Sequence, residues 1–416
     1  MVSNSWHVYY PTTISSVIAQ AAYGDSIIVH EGTYLEQVTV PSGVSLYASG
    51  EVTIDARGVN WYGSAIEING VHDIEIVGFT ILGGRSNVWS NCEGIVIRDL
   101  NNIGGTASYN ITIRDCIFTG IIPRVGIPDS LGTPLVVSCY GDERLGHTSC
   151  RNIIIEDCYF YDCNPTNTNG ITVGYISVIG NVEGLIIRNN YINHRYSLYN
   201  TIANGINMSG NYFGYPSQPR YLQIYGNTIE GEYGETHPSQ SIYIHVTAYA
   251  VIERNYIKNW SFGPMVAAEM GSLDAFTSHD IIIRRNIIEA YYYGVTIAEW
   301  SSFYKQVYNV WVDSNTIRAD VLITDATGQA PSYNLLFTNN IITGTITSTY
   351  SHDNPFYGTQ TEDVVRISNL SSETPSWVTY NTTELDYNGS KDKRTKGAVE
   401  QQWMQKRTLT RRAPRY

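Results

Sequence analysis

Along most of the chain, apolar and polar residues alternate with a period of two inside short phrases, which predicts strands rather than helices. One phrase recurs, apolar-x-apolar-x-x-Asn-x-apolar. It reads GLIIRNNYI, YLQIYGNTI, YAVIERNYI, HDIIIRRNII, YNVWVDSNTI and YNLLFTNNII, with earlier relatives HDIEIVGFTI, YNITIRDCIF and RNIIIEDCYF. Its second apolar position falls at Ile76, Ile113, Ile155, Ile187, Ile224, Ile252, Ile283, Val312 and Phe337, a spacing of 25 to 42 residues. A second short strand follows in nearly every unit, among them GIVIRD, PLVVSC, GITVGY, GINMSG, SIYIHV, MVAAEM, GVTIAE and DVLITD. Strands that recur once per unit, with no helical pattern between them, predict parallel stacking in a solenoid of about 10–12 coils. Asn190, Asn227, Asn255, Asn286, Asn315 and Asn340 fall in one column. They are expected at the tight left-handed bend between two strands, with their amides bonded from coil to coil. Cys116 and Cys158 share that column and read as small buried fillers.

The repeat, over residues 70–350, and the opening TTISSVIAQAAYGDSIIVHEGTYLEQVTVPSGVSLYASG together resemble the right-handed parallel β-helix, or pectate-lyase-like, superfamily. The fold expected is therefore all-β, a single-stranded right-handed parallel β-helix with a short N-terminal capping helix. Thr12 or Thr13 is placed to cap that helix through about Ala22, with Ile14, Val17, Ile18 and Ala21 facing the first coil. Residues 1–24 form the N-terminal cap, 25–351 the β-helix, 352–390 the far cap and 391–416 a basic tail. The segment VVRISNL is expected to pair with the last coil.

Charge changes the picture in one respect. The formal net charge is -12, and the tail holds nine Lys/Arg against Asp392 and Glu400, so the body carries -19. An acidic body argues against nucleic acid as a partner. No apolar run approaches the length of a membrane span. The first residues show neither a basic n-region nor an apolar stretch, so no signal peptide is expected there. Sequons at Asn110, Asn207, Asn259, Asn369, Asn381 and Asn388 point nonetheless to an extracellular, cell-surface or virion setting, with Asn110, Asn259, Asn369, Asn381 and Asn388 as glycosylation candidates. The six cysteines are Cys92, Cys116, Cys139, Cys150, Cys158 and Cys163, and Cys139–Cys150 is the best local disulfide pair.

The resemblance implies a site along the first sheet of the coil. Reading alternate positions outward gives Val96/Arg98, Val136/Ser138, Thr172/Gly174, Asn207/Ser209, Tyr243/His245, Ala267/Glu269, Thr296/Ala298 and Leu322/Thr324. Polar groups gather at Asn207, Tyr243, His245 and Glu269, with His245 expected beside Glu269 as an acid–base pair. Long segments at 118–134, 139–152 and 192–205 bring Arg144 and Arg195 to the groove, and EGEYGETHPSQ adds His237. Trp260, Trp300 and Tyr175 offer flat faces for sugar rings. A lyase would use Tyr243, His245 and Lys258 or Arg195. A hydrolase would use Glu269 and Glu299 beside Trp300. Asn207, Glu269 and Asp274 are too sparse for a calcium site, so no metal and no cofactor is expected, calcium being the one left open. The paired aspartates and Gly-His-Gly of polygalacturonases, the Asn…Glu-x-Glu…Lys pattern of alginate lyases and the Asp-Pro-His of mannuronan epimerases are all absent. The expected function is to bind and cleave a polysaccharide or cell-surface glycan. The alternative is a non-catalytic virion spike, tail fibre or adhesin, as a homotrimer or filament.

Overall fold

The computed structural model describes residues 3–57, 63–83, 92–98, 107–121, 134–141, 150–163, 172–194, 202–210, 217–231, 239–268, 277–298, 307–324, 333–344, 346–349, 364–367 and 370–371. Every strand pairing among them is parallel, and one coil shows why. Strand Gln240–His245 belongs to sheet 1 and strand Ala248–Glu253 to sheet 2. Strand Tyr256–Ala267 then opens in sheet 3, where Tyr256–Lys258 pair with Thr228–Glu230. It bends and closes the coil, its later residues pairing with Gln240–His245 as the next rung of sheet 1. The chain thus winds as a right-handed parallel β-helix whose three sheets run the length of the rod.

The interior is built of like residues stacked in register. Ile76, Ile113, Ile155, Ile187, Ile224, Ile252, Ile283, Val312 and Phe337 pair rung to rung in sheet 2, as the repeat predicts. All nine are fully buried. Phe118 and Phe160 stack face to face inside the coil, their ring centroids 4.7 Å apart. Burying columns of branched aliphatic side chains is the main drive for such winding.

The asparagine column forms, with one correction to its expected role. The left-handed conformation falls on the residue before each Asn, at Asn189, Gly226, Arg254, Arg285, Ser314 and Asn339. The Asn side chains turn inward instead. Asn227 Nδ2 donates to Asn255 Oδ1 at 2.9 Å and to Ile187 O at 3.0 Å, while Asn227 N donates to Asn255 Oδ1 at 3.0 Å. The same set repeats from Asn190 through Asn315 to Asn340, so each amide satisfies buried backbone at the corner. In the earlier coils Cys116 and Cys158 fill these places, each 1% exposed. Cys158 N still donates to Asn190 Oδ1.

The open N-terminal end is covered as expected, by a helix shorter than the sequence suggests. It spans Ile14–Ile18, with Thr13 as N-cap and Ile14, Val17 and Ile18 facing the core. Glu36 reaches across to accept from Ile14 N and Ser15 N, satisfying donors the helix leaves unpaired. At the far end Val364–Ile367 pairs with Tyr333–Thr338, and Leu370–Ser371 with Ile341–Ile342. VVRISNL therefore continues the coil past residue 351. Outside, sheet 2 carries a ladder of ion pairs, Glu75–Arg114, Glu156–Arg188 and Glu253–Arg284.

The expected Cys139–Cys150 disulfide is not formed. Both are buried thiols. Cys139 lies inside sheet 1 between Ile97 and Val178, whereas Cys150 opens a strand of sheet 2 with its Sγ 3.2 Å from Tyr140 O. Burial pushes the Cys139 and Cys163 thiols up to about 12.

Candidate functional site

On sheet 1 the backbone register fixes which side chains stand together on the outer face. Successive rungs carry Glu67/Asn69, Val96/Arg98, Ser138/Tyr140, Ser177/Ile179, Asn207/Ser209, Tyr243/His245, Met265/Ala267, Thr296/Ala298 and Leu322/Thr324. Three expected rungs are corrected. Val136 is interior, so Ser138/Tyr140 replaces Val136/Ser138. Ser177/Ile179 replaces Thr172/Gly174. Ala267, not Glu269, stands opposite His245, and Met265 opposite Tyr243. The reason is common to the first two. Each of these strands begins at a corner where two consecutive residues, Val136 and Val137 or Tyr175 and Ile176, both turn into the core. A strict two-residue count therefore slips there.

Asn207, Tyr243 and His245 do come together. Asn207 and Tyr243 are register partners on adjacent rungs. The Tyr243 and His245 rings lie nearly parallel, with centroids 5.9 Å apart. His245 is 8% exposed. Around them the face holds buried oxygen atoms with no hydrogen-bond partner among the described residues, at Ser177, Asn204, Asn207 and Thr296. Such groups each carry an uncompensated desolvation cost, which a ligand's hydroxyls can relieve.

Other sequence candidates fall elsewhere. Trp260 is fully buried at the bend between sheets 3 and 1, its ring 5.3 Å from His194, and so offers no platform. Tyr175 is likewise interior, with its hydroxyl 3.2 Å from His194 Nδ1. Lys258 sits on sheet 3 with Nζ 2.6 Å from Glu230 Oε1, away from the sheet 1 face. Asn110 is exposed, but its amide is bound to Asp73 Oδ1 at 2.8 Å. Asn259 is half-buried at the corner before Trp260. Glu269, Glu299, Arg144, Arg195, His237, Trp300, Asn369, Asn381 and Asn388 lie outside the described residues.

One group escaped the sequence reading. Glu93 is 5% exposed and accepts from Ser138 Oγ at 3.0 Å. Burial pushes its carboxyl up to about 7, against the opposing pull of Ser138 and Arg98. Arg98 Nε donates to Glu67 Oε1 at 3.1 Å, and the guanidinium makes a second contact with the same oxygen. Counting by twos from Val96 and Arg98 assigns Glu93 to the interior with Ile95 and Ile97. Gly94 breaks that count, because a Cβ there would strike Ile121 and Phe118 in the core. An acidic residue just before such a glycine is the signal that could have found it.

An open concavity of about 580 Å³ lies on sheet 2 instead, lined by Tyr23, Asp73, Glu75, Asn110 and Asn152 among others. Its polar groups largely bond one another, as Tyr23 with Asp73 and Asn152 with Asn110. Among the described residues, no three His, Cys, Asp or Glu side chains converge to hold a metal ion.

No protein-family model and no curated protein matches the chain. Among solved structures it is similar to PfbA, a surface adhesin of Streptococcus pneumoniae, with a TM-score of 0.51 and 12% identity over 81% of this chain and 87% of that one. It is similar also to the polygalacturonase from Erwinia carotovora ssp. carotovora, with a TM-score of 0.50 and 11% identity over 83% of this chain and 96% of that one. These likenesses bear out the right-handed parallel β-helix fold. At such identity the fold is shared, while the site must be argued from its own residues. Among the described residues no helix is long and apolar enough to cross a membrane.

Proposed function

We propose that the outer face of sheet 1 binds an extended polysaccharide, at the cell surface or outside it, and that the chain cleaves it. The observation that carries this is the row of buried, unpartnered oxygens at Ser177, Asn204, Asn207 and Thr296 beside Tyr243 and His245. A rung repeats about every 4.8 Å, close to the length of one pyranose ring, so a rod-long face suits a chain better than a small ligand. Tyr243 supplies an amphipathic ring for sugar contact. Asn207 and His245 supply hydrogen bonds.

The test is incubation with polygalacturonate, alginate, xylan and hyaluronan. New reducing ends and ultraviolet absorbance by unsaturated products are followed, with binding measured by calorimetry. Binding to one of these, weakened at least tenfold in Tyr243→Ala, supports the reading. No binding to any of them would sink it. Binding without cleavage favours the second reading, a non-catalytic adhesin or virion spike.

A further inference from the structure

Glu93 lies on the same face as the proposed binding row, but at a distance from it. Between strand Cys92–Arg98 and strand Gln240–His245 stand three others, Pro134–Tyr140, Thr172–Ile179 and Ile202–Ser209. Four rung steps, roughly 19 Å, therefore separate Glu93 from His245. The two cannot act on one bond.

Three features converge at Glu93. The carboxyl is nearly enclosed, and the donors that reach it are the neutral hydroxyls of Ser138 and Tyr140. Enclosure of that kind favours the proton-bearing form. Ser64 stands in register with Glu93, and its Oγ is buried, at 2% residue exposure, with no hydrogen-bond partner among the described residues. A desolvated hydroxyl beside an acid is a place for a ligand oxygen. On the same pair of strands Glu67 is ion-paired to Arg98, and Asn69, the register partner of Arg98, carries another unpartnered buried oxygen.

A carboxyl that keeps its proton, near one that is ion-paired, is the arrangement glycoside hydrolysis requires. Strand register puts the two Cα atoms on the order of 10 Å apart. That suits the carboxyl separations of roughly 6.5–9.5 Å that leave room for an attacking water.

We propose that Glu93 is the general acid of a hydrolytic cleavage, with Glu67 as the base that activates water. The proposal rests on the reading of sheet 1 as the sugar-binding face. Water adds to the anomeric carbon as the bond to the leaving glycosidic oxygen breaks. Glu93 gives its proton to that oxygen, and Glu67 takes one from the water. Proton exchange through solvent restores both carboxyls, so the only co-reactant is water. Asn207, Tyr243 and His245 then hold sugars several units along from the scissile bond.

The experiment compares the full chain with Glu93→Gln, which keeps the shape of the side chain but carries no transferable proton. Both are assayed for binding and cleavage on the four polysaccharides above. The expected result is cleavage that yields reducing ends without ultraviolet absorbance and falls about 10²–10⁴-fold in Glu93→Gln. Binding stays within threefold. The wild-type rate should also decline as pH rises through about 7, where the acid loses its proton. Undiminished cleavage by Glu93→Gln, or unsaturated products, overturns the proposal and leaves the binding face standing. Binding with no cleavage by the wild type also overturns it. Absence of binding by the wild type overturns the reading of sheet 1 itself. Circular dichroism melts of both chains confirm that a loss of rate is not a loss of fold.

Discussion

Replacing Asn255 with alanine tests the ladder that holds the coils in register. The Asn255 side chain takes part in four hydrogen bonds. Its Nδ2 donates to Ile224 O at 2.9 Å and to Asn286 Oδ1 at 3.0 Å. Its Oδ1 accepts from Asn227 N at 3.0 Å and from Asn227 Nδ2 at 2.9 Å. Alanine leaves Asn227 N–H without its side-chain acceptor and Ile224 C=O without this donor, both in a buried corner. Each buried group stranded in this way costs about 1–3 kcal/mol, so the pair gives about 2–6 kcal/mol. Gln223→Ala, on an exposed position of sheet 2, serves as the control and should stay within about 0.5 kcal/mol. Urea unfolding followed by far-ultraviolet circular dichroism measures both. Amide hydrogen exchange adds the location, because in a solenoid a lesion weakens its own rung and the neighbouring ones first. A loss below about 1 kcal/mol, or exchange that speeds up evenly along the rod, would refute the reasoning.

Other expectations follow from the same geometry. The Glu93 carboxyl moves from an ordinary value of 4.5 to about 7, so its stabilising share is whole below pH 4.5 and is lost as pH rises through 7. That displacement corresponds to roughly 3 kcal/mol, and Glu93→Gln should gain about this much on wild type between pH 4.5 and pH 8 in denaturant titrations. A constant difference across that range contradicts the assignment of a buried, protonated acid. On sheet 2, Arg284 and Glu253 are 13% and 14% exposed, so Arg284→Ala should cost about 1–3 kcal/mol, Glu253 keeping only its longer contact to Arg254. Arg318→Ala breaks a pair exposed at 48% and 27% and should cost less than about 1 kcal/mol. Comparable losses at the two sites would show that burial does not set their worth. Iodoacetamide at neutral pH should leave Cys139 and Cys163 unlabelled in the folded chain and label both in urea, since burial holds the thiols protonated. Rapid labelling of the native chain, read by mass spectrometry, would contradict their enclosure.

The winding was legible because one phrase recurs, and its second apolar position proves to be the stacked interior column of sheet 2 from Ile76 to Phe337. Asn207, Tyr243 and His245 were legible for the same reason, since strands Ile202–Ser209 and Gln240–His245 keep a two-residue period over the residues concerned. What period two cannot convey is a corner. At Gly94–Ile95, Val136–Val137 and Tyr175–Ile176 two neighbours both face inward, and side-chain parity reverses across them. That reversal hid Glu93 and misplaced Val136 and Ser177. That Ala267 rather than the expected Glu269 pairs with His245 has another source, a register two residues away from the expected one between Gln240–His245 and the strand that bends at Trp260. Trp260 itself reads as a sugar platform by composition, yet the bend between sheets 3 and 1 turns it inside.

The central claim, that sheet 1 carries the polysaccharide across its outer face, is tested most directly by a crystal structure of Glu93→Gln soaked with an oligosaccharide from the substrate it binds. The account predicts sugar density lying along sheet 1, with hydroxyls within hydrogen-bond distance of Ser64 and Asn207 and a ring against Tyr243. Sugar seated instead in the sheet 2 concavity between Tyr23 and Asn152, with the sheet 1 face empty, would contradict it.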